Sequence, residues 1–194
     1  WATSSPRSSA TTSSAIAVEN LWTGATSNNW NEPTNWSLGR VPTNANGQPE
    51  PDNFDDAIVN ILTNFPVINT DLLAIPREIA VGNAFGATGR VDQRAGNVAT
   101  GPSNGMFVGI NGGTGTYNLA DTAAVGGTFT SFGQGTGNLN IGGRLYVGGF
   151  NNFTPGTGTF NVNTSGALSI AGGFAIGRDG SPGTVNIDSG NITT

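Results

Sequence analysis

The clearest pattern in the chain is an alternation of apolar and polar positions that recurs in its second half. The phrase Gly, any residue, apolar, Asn, apolar occurs in the segments GTGTYNL, GTGNLNI, GTGTFNV and SPGTVNI. Its asparagines are Asn118, Asn140, Asn161 and Asn186, spaced by about 22, 21 and 25 residues. Because strand side chains alternate between two faces, each apolar pair faces inward and each Asn outward. This spacing predicts a repeat protein. The predicted inward core positions are Leu139, Ile141, Phe160, Val162, Val185 and Ile187.

A second recurring pattern is an apolar residue, any residue, Val or Ile, and then Gly. It closes at Gly82, Gly109, Gly148 and Gly177. Short strands separated by glycine corners predict turns of chain whose edges are covered by the next turn. We therefore predict an all-β fold, namely a parallel, right-handed β-helix or solenoid. The alternative is an antiparallel sandwich of short strands, although sandwich strands need not resemble one another.

Changes in composition divide the chain into three predicted parts. Residues 1–20 are rich in Ser and Thr, which predicts a flexible arm that includes a first strand in AIAVENL. Residues 21–54 form a Trp-rich N-terminal cap followed by a loop. Residues 55–194 form the turns of the solenoid.

Three of the four tryptophans, Trp22, Trp30 and Trp36, lie within fifteen residues of one another. One interpretation is that they cover the apolar end of the first turn, since terminal repeats need a cap. The other is that their ring faces form a platform for carbohydrate rings.

The charged residues exclude some classes of partner. Seven basic residues, all Arg, stand against twelve acidic ones, and the net charge is −5. Because an acidic surface repels phosphate backbones, we expect no nucleic-acid partner. Charged residues make up 10% of the chain, so Asn, Ser and Thr supply most of its polarity, as is common in exported bacterial surface proteins. No stretch reaches the length of a transmembrane helix. The chain begins with Trp, which we interpret as the start of a processed or trimmed product.

Candidate catalytic groups are sparse. Polysaccharide lyases use a Lys, Arg or His base, often beside calcium, and hydrolases use paired carboxylates. The chain has no His, and its adjacent acids Asp55 and Asp56 would point to opposite faces of a strand. We therefore predict no enzyme and no cofactor. The alternative is a calcium ion held by Asp52, Asp55 or Asp56.

The outer face of the repeat carries Thr or Asn two residues before each repeat Asn. We interpret these positions as a polar ladder whose side chains hydrogen-bond from turn to turn. A flat face that binds a repetitive surface, such as ice, a glycan lattice or a copy of the chain, is the alternative. The ladder positions are Thr116, Asn118, Asn138, Asn140, Thr159, Asn161, Thr184 and Asn186.

The N-terminal motifs carry a family resemblance. Trp22-Thr23-Gly24, Asn35-Trp36-Ser37, Val41-Pro42 and Asp55-Asp56-Ala57 occur in this order before an apolar strand. This order resembles the N-terminal region of secreted bacterial β-solenoid proteins of the PEP-CTERM and autotransporter-passenger repeat types. The resemblance covers about residues 21–190 and implies export, a bacterial cell-surface or extracellular location, and a structural or adhesive role. The chain shows no sorting tail or translocator, so the resemblance does not imply how it is anchored.

The predicted function is that of a non-catalytic extracellular subunit that is structural, adhesive or self-assembling, as in a filament or surface layer. Its expected partners are copies of itself, arranged head to tail, or surface glycans. The alternative is a carbohydrate-binding or polysaccharide-degrading β-helix. The last repeat, from Ser181, occupies about half a turn, which predicts either assembly with another copy or a piece of a longer protein.

Overall fold

The computed structural model describes residues 17–44, 54–102, 105–122, 132–150 and 154–194. Most of the predicted arm and the loop at 45–53 lie outside the described residues. The last residues of the predicted arm form the first strand. The strands are β1 Ala17–Leu21, β2 Phe54–Val59, β3 Val67–Ile68, β4 Glu78–Val81, β5 Thr88–Gln93, β6 Asn97–Thr100, β7 Gly105–Val108, β8 Thr114–Ala120, β9 Asn138–Ile141, β10 Arg144–Val147, β11 Thr157–Ile170, β12 Phe174–Ile176 and β13 Gly183–Thr193.

The first sheet has the strand order β1-β2-β4-β7-β10-β12, and all its ladders are parallel. Its register aligns inward-facing apolar residues into rows across the sheet. One row runs Ala57, Ile79, Met106, Leu145 and Phe174. The first four of these side chains are fully buried. The alternation read from the sequence therefore places one face of this sheet against the core.

The second sheet has the order β3-β5-β8-β11-β9-β6, and β13 also pairs with β11. Its centre is the 14-residue strand β11, whose first half pairs with β8 and whose second half pairs with β9. Register shifts after Val162 and Asn163 separate the two halves in the β11–β13 ladder. The sheet therefore curls at β11, and its inward rows face the first sheet across a shared core.

The prediction of an all-β parallel β-helix or solenoid is wrong. The strands are gathered into two parallel sheets, and the path of the second doubles back through β11. All-parallel sheets of this kind are characteristic of α/β-type folds, although the described residues contain only two short 3-10 helices. The predicted repeat also fails as a stacking unit. Asn118 bonds to Asn161, 43 residues later, and the copy around Asn140 lies between them in sequence but in a separate ladder.

Two glycines show why the recurring Gly positions are needed. Gly109 follows β7 with φ of 70°, and a Cβ there would lie 1.9 Å from the carbonyl oxygen of Thr157. Gly158, inside β11, has its backbone so close to β7 that a Cβ would lie 2.2 Å from the carbonyl oxygen of Val108. The strands of the two sheets meet backbone to backbone at these corners, which only glycine permits.

Within the described ranges, no helix is both long and apolar enough to span a membrane.

Candidate functional site

Three of the predicted ladder asparagines form one hydrogen-bonded row on the outer face of the second sheet. The Asn161 amide Nδ2 donates to Asn118 Oδ1 at 2.7 Å, and Asn186 Nδ2 donates to Asn161 Oδ1 at 2.8 Å. The row begins at Asp92, whose Oδ1 accepts from Asn118 Nδ2 at 2.7 Å. We call these four residues the amide ladder.

The carboxylate of Asp92 fixes the direction of the amide ladder. An ionised carboxylate can only accept, so Asn118 must turn its NH₂ group toward Asp92 and its oxygen toward Asn161. Asn161 and Asn186 must therefore also donate their NH₂ groups toward the preceding asparagine. The Oδ1 of Asn186 is the acceptor at the end of the ladder. Arg90 holds Asp92 through two hydrogen bonds of 2.8 Å.

Three of the four residues of the amide ladder are buried. Asp92 and Asn118 are 0% and 1% exposed, and Asn161 is 5% exposed. The amide ladder is therefore largely shielded from solvent, which corrects the prediction of an outward, water-facing row. Beneath it, burial and the nearby charge of Asp92 raise the pKa of Tyr117, whose hydroxyl donates to Gln93 Oε1 at 2.8 Å.

The predicted threonines accompany the amide ladder. Thr116, Thr159 and Thr184 lie in register on β8, β11 and β13, two residues before the corresponding asparagines. Thr116 and Thr159 are partly exposed, and Thr184 is exposed. These residues and the three ladder asparagines form one continuous polar strip.

The structure separates the other two predicted ladder residues from this strip. Asn138 and Asn140 lie on β9 and are exposed. Asn138 Nδ2 donates to Asn97 Oδ1 at 3.0 Å, and Asn138 Oδ1 accepts from the Ala167 amide at 2.9 Å. Asn140 is in register with Ser169 on one side. The eight predicted residues therefore form two polar rows, on the two branches of the second sheet.

The predicted core residues differ according to their position in the sheet. Leu139, Ile141, Phe160 and Val162 are at most 1% exposed. Val185 is partly buried and Ile187 is 54% exposed, although both lie in register with buried β11 residues.

These two residues belong to a surface that we call the open end, formed by the free edges of β12 and β13. Among the described residues, β12 pairs only with β10 and β13 only with β11. Two residues of β12 that continue inward-facing rows, Phe174 and Ile176, are 37% and 49% exposed. The open end therefore combines unpaired strand edges with exposed core positions.

The opposite side of the molecule, which we call the closed end, consists of residues 20–40. Trp22, Trp30 and Trp36 are 1–3% exposed and pack edge to face, with ring centroids 5.0 and 4.8 Å apart. Trp22 Nε1 donates to the Asn64 carbonyl and Trp36 Nε1 to the Trp30 carbonyl, both at 2.8 Å. The rings join the main core and leave no exposed face on which a sugar could stack.

Two outward backbone positions at the closed end, Leu21 and Asn29, are occupied as well. The Leu21 amide donates to Ser37 Oγ at 2.9 Å, and the Ser37 amide donates to the Leu21 carbonyl at 2.8 Å. The Asn29 amide donates to Ser27 Oγ at 3.2 Å, and the Asn29 carbonyl accepts from the Glu32 amide at 3.1 Å. These contacts restrict the addition of a strand here.

The acidic pair that raised the calcium alternative is engaged with arginines. Arg40 binds Asp55 through hydrogen bonds of 3.0 and 2.7 Å. Arg77 binds Asp56 in the same bidentate geometry. Asp52 lies outside the described residues, and within the described ranges no group of three or more His, Cys, Asp or Glu could hold a metal ion.

Next to this pair, Glu78 is in register with Asp56 and shares Arg77 with it. Burial raises the pKa of Glu78 to about 7. The charges of Asp56 and Glu19 add to this effect, and Arg77 opposes it.

A second apolar cluster, on the outer face of the first sheet, was not predicted from the sequence. Phe107 and Tyr146 stack in parallel with centroids 5.4 Å apart, and Phe150 packs edge-on against both. The sequence contained a signal, since MFVG and RLYVGG each have consecutive apolar residues, which places apolar side chains on both faces of the strand. Strands buried on both faces read as continuous apolar runs.

A cavity of about 230 Å³ lies beside Tyr146 near the open end. Arg144 Nη1 donates to the Tyr146 hydroxyl at 3.2 Å, and no carboxylate in the described part of the chain pairs with Arg144. The Arg178 guanidinium lies 5.9 Å from the Tyr146 ring centroid and pairs with Asp179. The cavity is therefore cationic, with an aromatic residue between two arginines.

Comparisons of the chain with protein-family models, curated proteins and solved structures give no match.

Proposed function

We propose that the chain is a non-catalytic structural subunit that self-associates through its open end, in the extracellular bacterial setting that the resemblance implies. The observation that carries the proposal is the contrast between the inward rows and their last members. Ala57, Ile79, Met106 and Leu145 are fully buried, whereas Phe174 in the same row is 37% exposed.

The open end has the chemistry of an interface. A free strand edge is a template for pairing, and soluble proteins usually protect such edges with charges, proline or a covering segment. Asp188 is the one charged residue of β13, and the segment Gly183–Ile187 before it carries neither a charge nor a proline. Burial of Phe174, Ile176 and Ile187 would remove three large side chains from water, each worth about 1.5–3 kcal/mol when fully buried.

The non-catalytic part of the proposal rests on how the buried carboxylates are used. Asp55, Asp56 and Asp92 each accept two hydrogen bonds from one arginine. The oxygens of these carboxylates are therefore occupied by guanidinium donors and are poorly placed to contact a substrate.

Sedimentation velocity over a concentration series tests the proposal. We expect a reversible shift to larger species at high concentration. Ile187→Arg should weaken association at least about tenfold, because it would bury a charge in the contact. Leu73→Arg is the matched control, since Leu73 is 75% exposed and its amide donates to Asn31 Oδ1 at the closed end. A chain that stays monomeric at every concentration overturns the proposal.

A second candidate function is binding of an acidic saccharide in the cavity at Arg144. Arg144 pairs with no carboxylate among the described residues and lies beside Tyr146, an arrangement that suits a uronate carboxylate and a sugar ring. Isothermal titration with polygalacturonate tests this function. Binding that is lost in Arg144→Gln supports it, and an absence of heat with the wild-type chain rejects it.

A further inference from the structure

We propose that a cavity on the outer face of the first sheet, beside Phe107, binds one neutral pyranose ring. The cavity has a volume of about 270 Å³, which is enough for a single sugar ring with its hydroxyl groups. It is separate from the cavity at Arg144, and the inference does not depend on the proposed self-association.

The first argument is the apolar part of the cavity lining. Phe107 and Ile110 are 7% and 4% exposed, and they line the cavity together with the partly exposed Phe150. Tyr146 stacks on one face of Phe107, with the two ring planes 1° from parallel. On β4 the residue in register with Phe107 is Ala80, so no second ring stacks from that side. An aromatic surface of this kind suits the C–H face of a pyranose.

The second argument is a set of planar polar side chains that line the same cavity. These residues are all partly exposed, and they are Arg77, Glu78, Asn83 and Asn111. A sugar hydroxyl both donates and accepts hydrogen bonds, and guanidinium, carboxyl and amide groups supply partners for both. Apolar walls with a few convergent polar groups are the usual composition of a small-molecule site.

The two amides are held in place by hydrogen bonds from turn to turn. Asn111 Nδ2 donates to Asn83 Oδ1 at 2.7 Å, and the Asn83 backbone amide donates to Asn60 Oδ1 at 2.7 Å. Asn111 has a φ of 54°, in the left-handed region that residues other than glycine adopt rarely. Its Oδ1 is shielded from solvent and has no hydrogen-bond partner among the residues that the structure describes. If the side chain turns toward the cavity, a ligand hydroxyl can bond this oxygen and remove an unfavourable unpaired acceptor.

The third argument is the charge balance, which favours a neutral ligand over an acidic one. The Arg77 guanidinium binds both carboxylate oxygens of Asp56 and lies 3.7 Å from a carboxylate oxygen of Glu78. Two carboxylates therefore share one guanidinium, which leaves little positive charge for an anion. Burial and the charges of Asp56 and Glu19 raise the pKa of Glu78 to about 7, so near neutral pH its carboxyl group is present in both donating and accepting forms. A uronate meets repulsion here, in contrast to the cavity at Arg144.

Saturation-transfer NMR with the intact chain tests the inference. The neutral probes are the methyl pyranosides of glucose, galactose, mannose and N-acetylglucosamine at millimolar concentration, and galacturonate is the acidic probe. We expect saturation of the ring C–H protons in at least one neutral probe, because these protons contact Phe107 and Phe150. Galacturonate should not displace that probe.

Two substitutions test the two sides of the proposed contact. Phe150→Leu keeps an apolar side chain but removes the ring, and it should weaken binding of the neutral probe about fivefold. Glu78→Ala removes the carboxyl group and should also weaken binding about fivefold. Glu78→Gln keeps a planar hydrogen-bonding group and should bind within about twofold of the wild type.

Leu73→Ala is the matched control, since Leu73 is an exposed apolar residue whose amide donates to Asn31 Oδ1 at the closed end. Circular dichroism checks that each variant keeps the wild-type fold, which we expect because Phe150 and Glu78 are only partly buried. Weaker binding in Phe150→Leu and Glu78→Ala, with Leu73→Ala unchanged, supports the inference. An absence of saturation in every neutral probe overturns it, as does binding that both variants retain. Displacement of the neutral probe by galacturonate overturns the preference for a neutral ligand.

Discussion

The closed and open ends solve the same problem in opposite ways. Any sheet stack has two terminal layers whose inward residues lack a neighbour. At the closed end three indoles fill that layer and are 1–3% exposed, while Ser37, Ser27 and Glu32 bond the outward backbone groups of Leu21 and Asn29. At the open end the terminal strands keep the apolar pattern of the interior but leave Ile187 54% exposed. The pattern of a strand therefore does not determine its burial, which depends on what lies beyond it.

The largest effect should come from removing an indole at the closed end. Trp36→Ala should lower the free energy of unfolding by about 3–5 kcal/mol, because Trp36 is 2% exposed and contacts both Trp22 and Trp30. Chemical denaturation measures the loss. Phe174→Ala at the open end is the comparison, and it should cost much less in the monomer. Equal losses would contradict the distinction between the two ends.

A glycine in the interior should matter more than one near the open end. Gly158→Ala should cost about 2–3 kcal/mol, since the new Cβ would overlap the Val108 carbonyl oxygen and force the sheets apart. Gly173→Ala meets no atom within 4 Å and is disfavoured only by its φ of 103°. Thermal unfolding of both variants should show the larger fall in Tm for Gly158→Ala. The reverse order would mean that the corner at β7 can relax.

Position along the amide ladder should set the cost of losing an amide. Asn161→Ala leaves the Asn118 oxygen and the Asn186 amide without their partners in a buried row, which should cost about 1–3 kcal/mol. Asn186→Ala removes only the final donor, at a partly exposed site, and should cost less than about 1 kcal/mol. Urea titrations distinguish the two. If Asn161→Ala lowers the free energy of unfolding no more than Asn186→Ala does, the ladder faces solvent, as the sequence predicted.

The sequence identified local features more successfully than long-range ones. Apolar alternation correctly marked the buried faces at Leu139, Ile141, Phe160 and Val162. It could not assign the similar phrases around Asn140 and Asn161 to different ladders, because a strand pattern specifies a face and not a neighbour. This ambiguity produced both the wrong fold class and the single predicted ladder.

The candidate site shows the same limit. Asn118, Asn161 and Asn186 were recognisable from their repetition, but nothing local to Asp92 showed that it anchors their hydrogen bonds. Burial of the ladder likewise depends on packing that a strand pattern does not encode. The exposure of the β13 residues Val185 and Ile187 was likewise not readable from their apolar pattern, which matches that of the buried β11 residues with which they are in register.

A pH-dependent effect is predicted for charge on the outer face of the first sheet, near the closed end. The pKa of Glu78 is raised to about 7 in the folded chain, against an ordinary value of 4.5, because burial and the charges of Asp56 and Glu19 oppose ionisation. Between those values the unfolded chain loses the proton while the folded chain keeps it, so folding stability falls as pH rises toward 7. After allowance for partial exposure, the loss should be about 1–2 kcal/mol.

Glu78→Gln should remove this loss, so denaturation at pH 5 and pH 8 should show a smaller difference in the variant than in the wild type. Arg144→Gln, in register with Gly105 on the same outer row, is the control and should leave that difference unchanged. An unchanged pH dependence in Glu78→Gln would mean that Arg77 keeps Glu78 ionised.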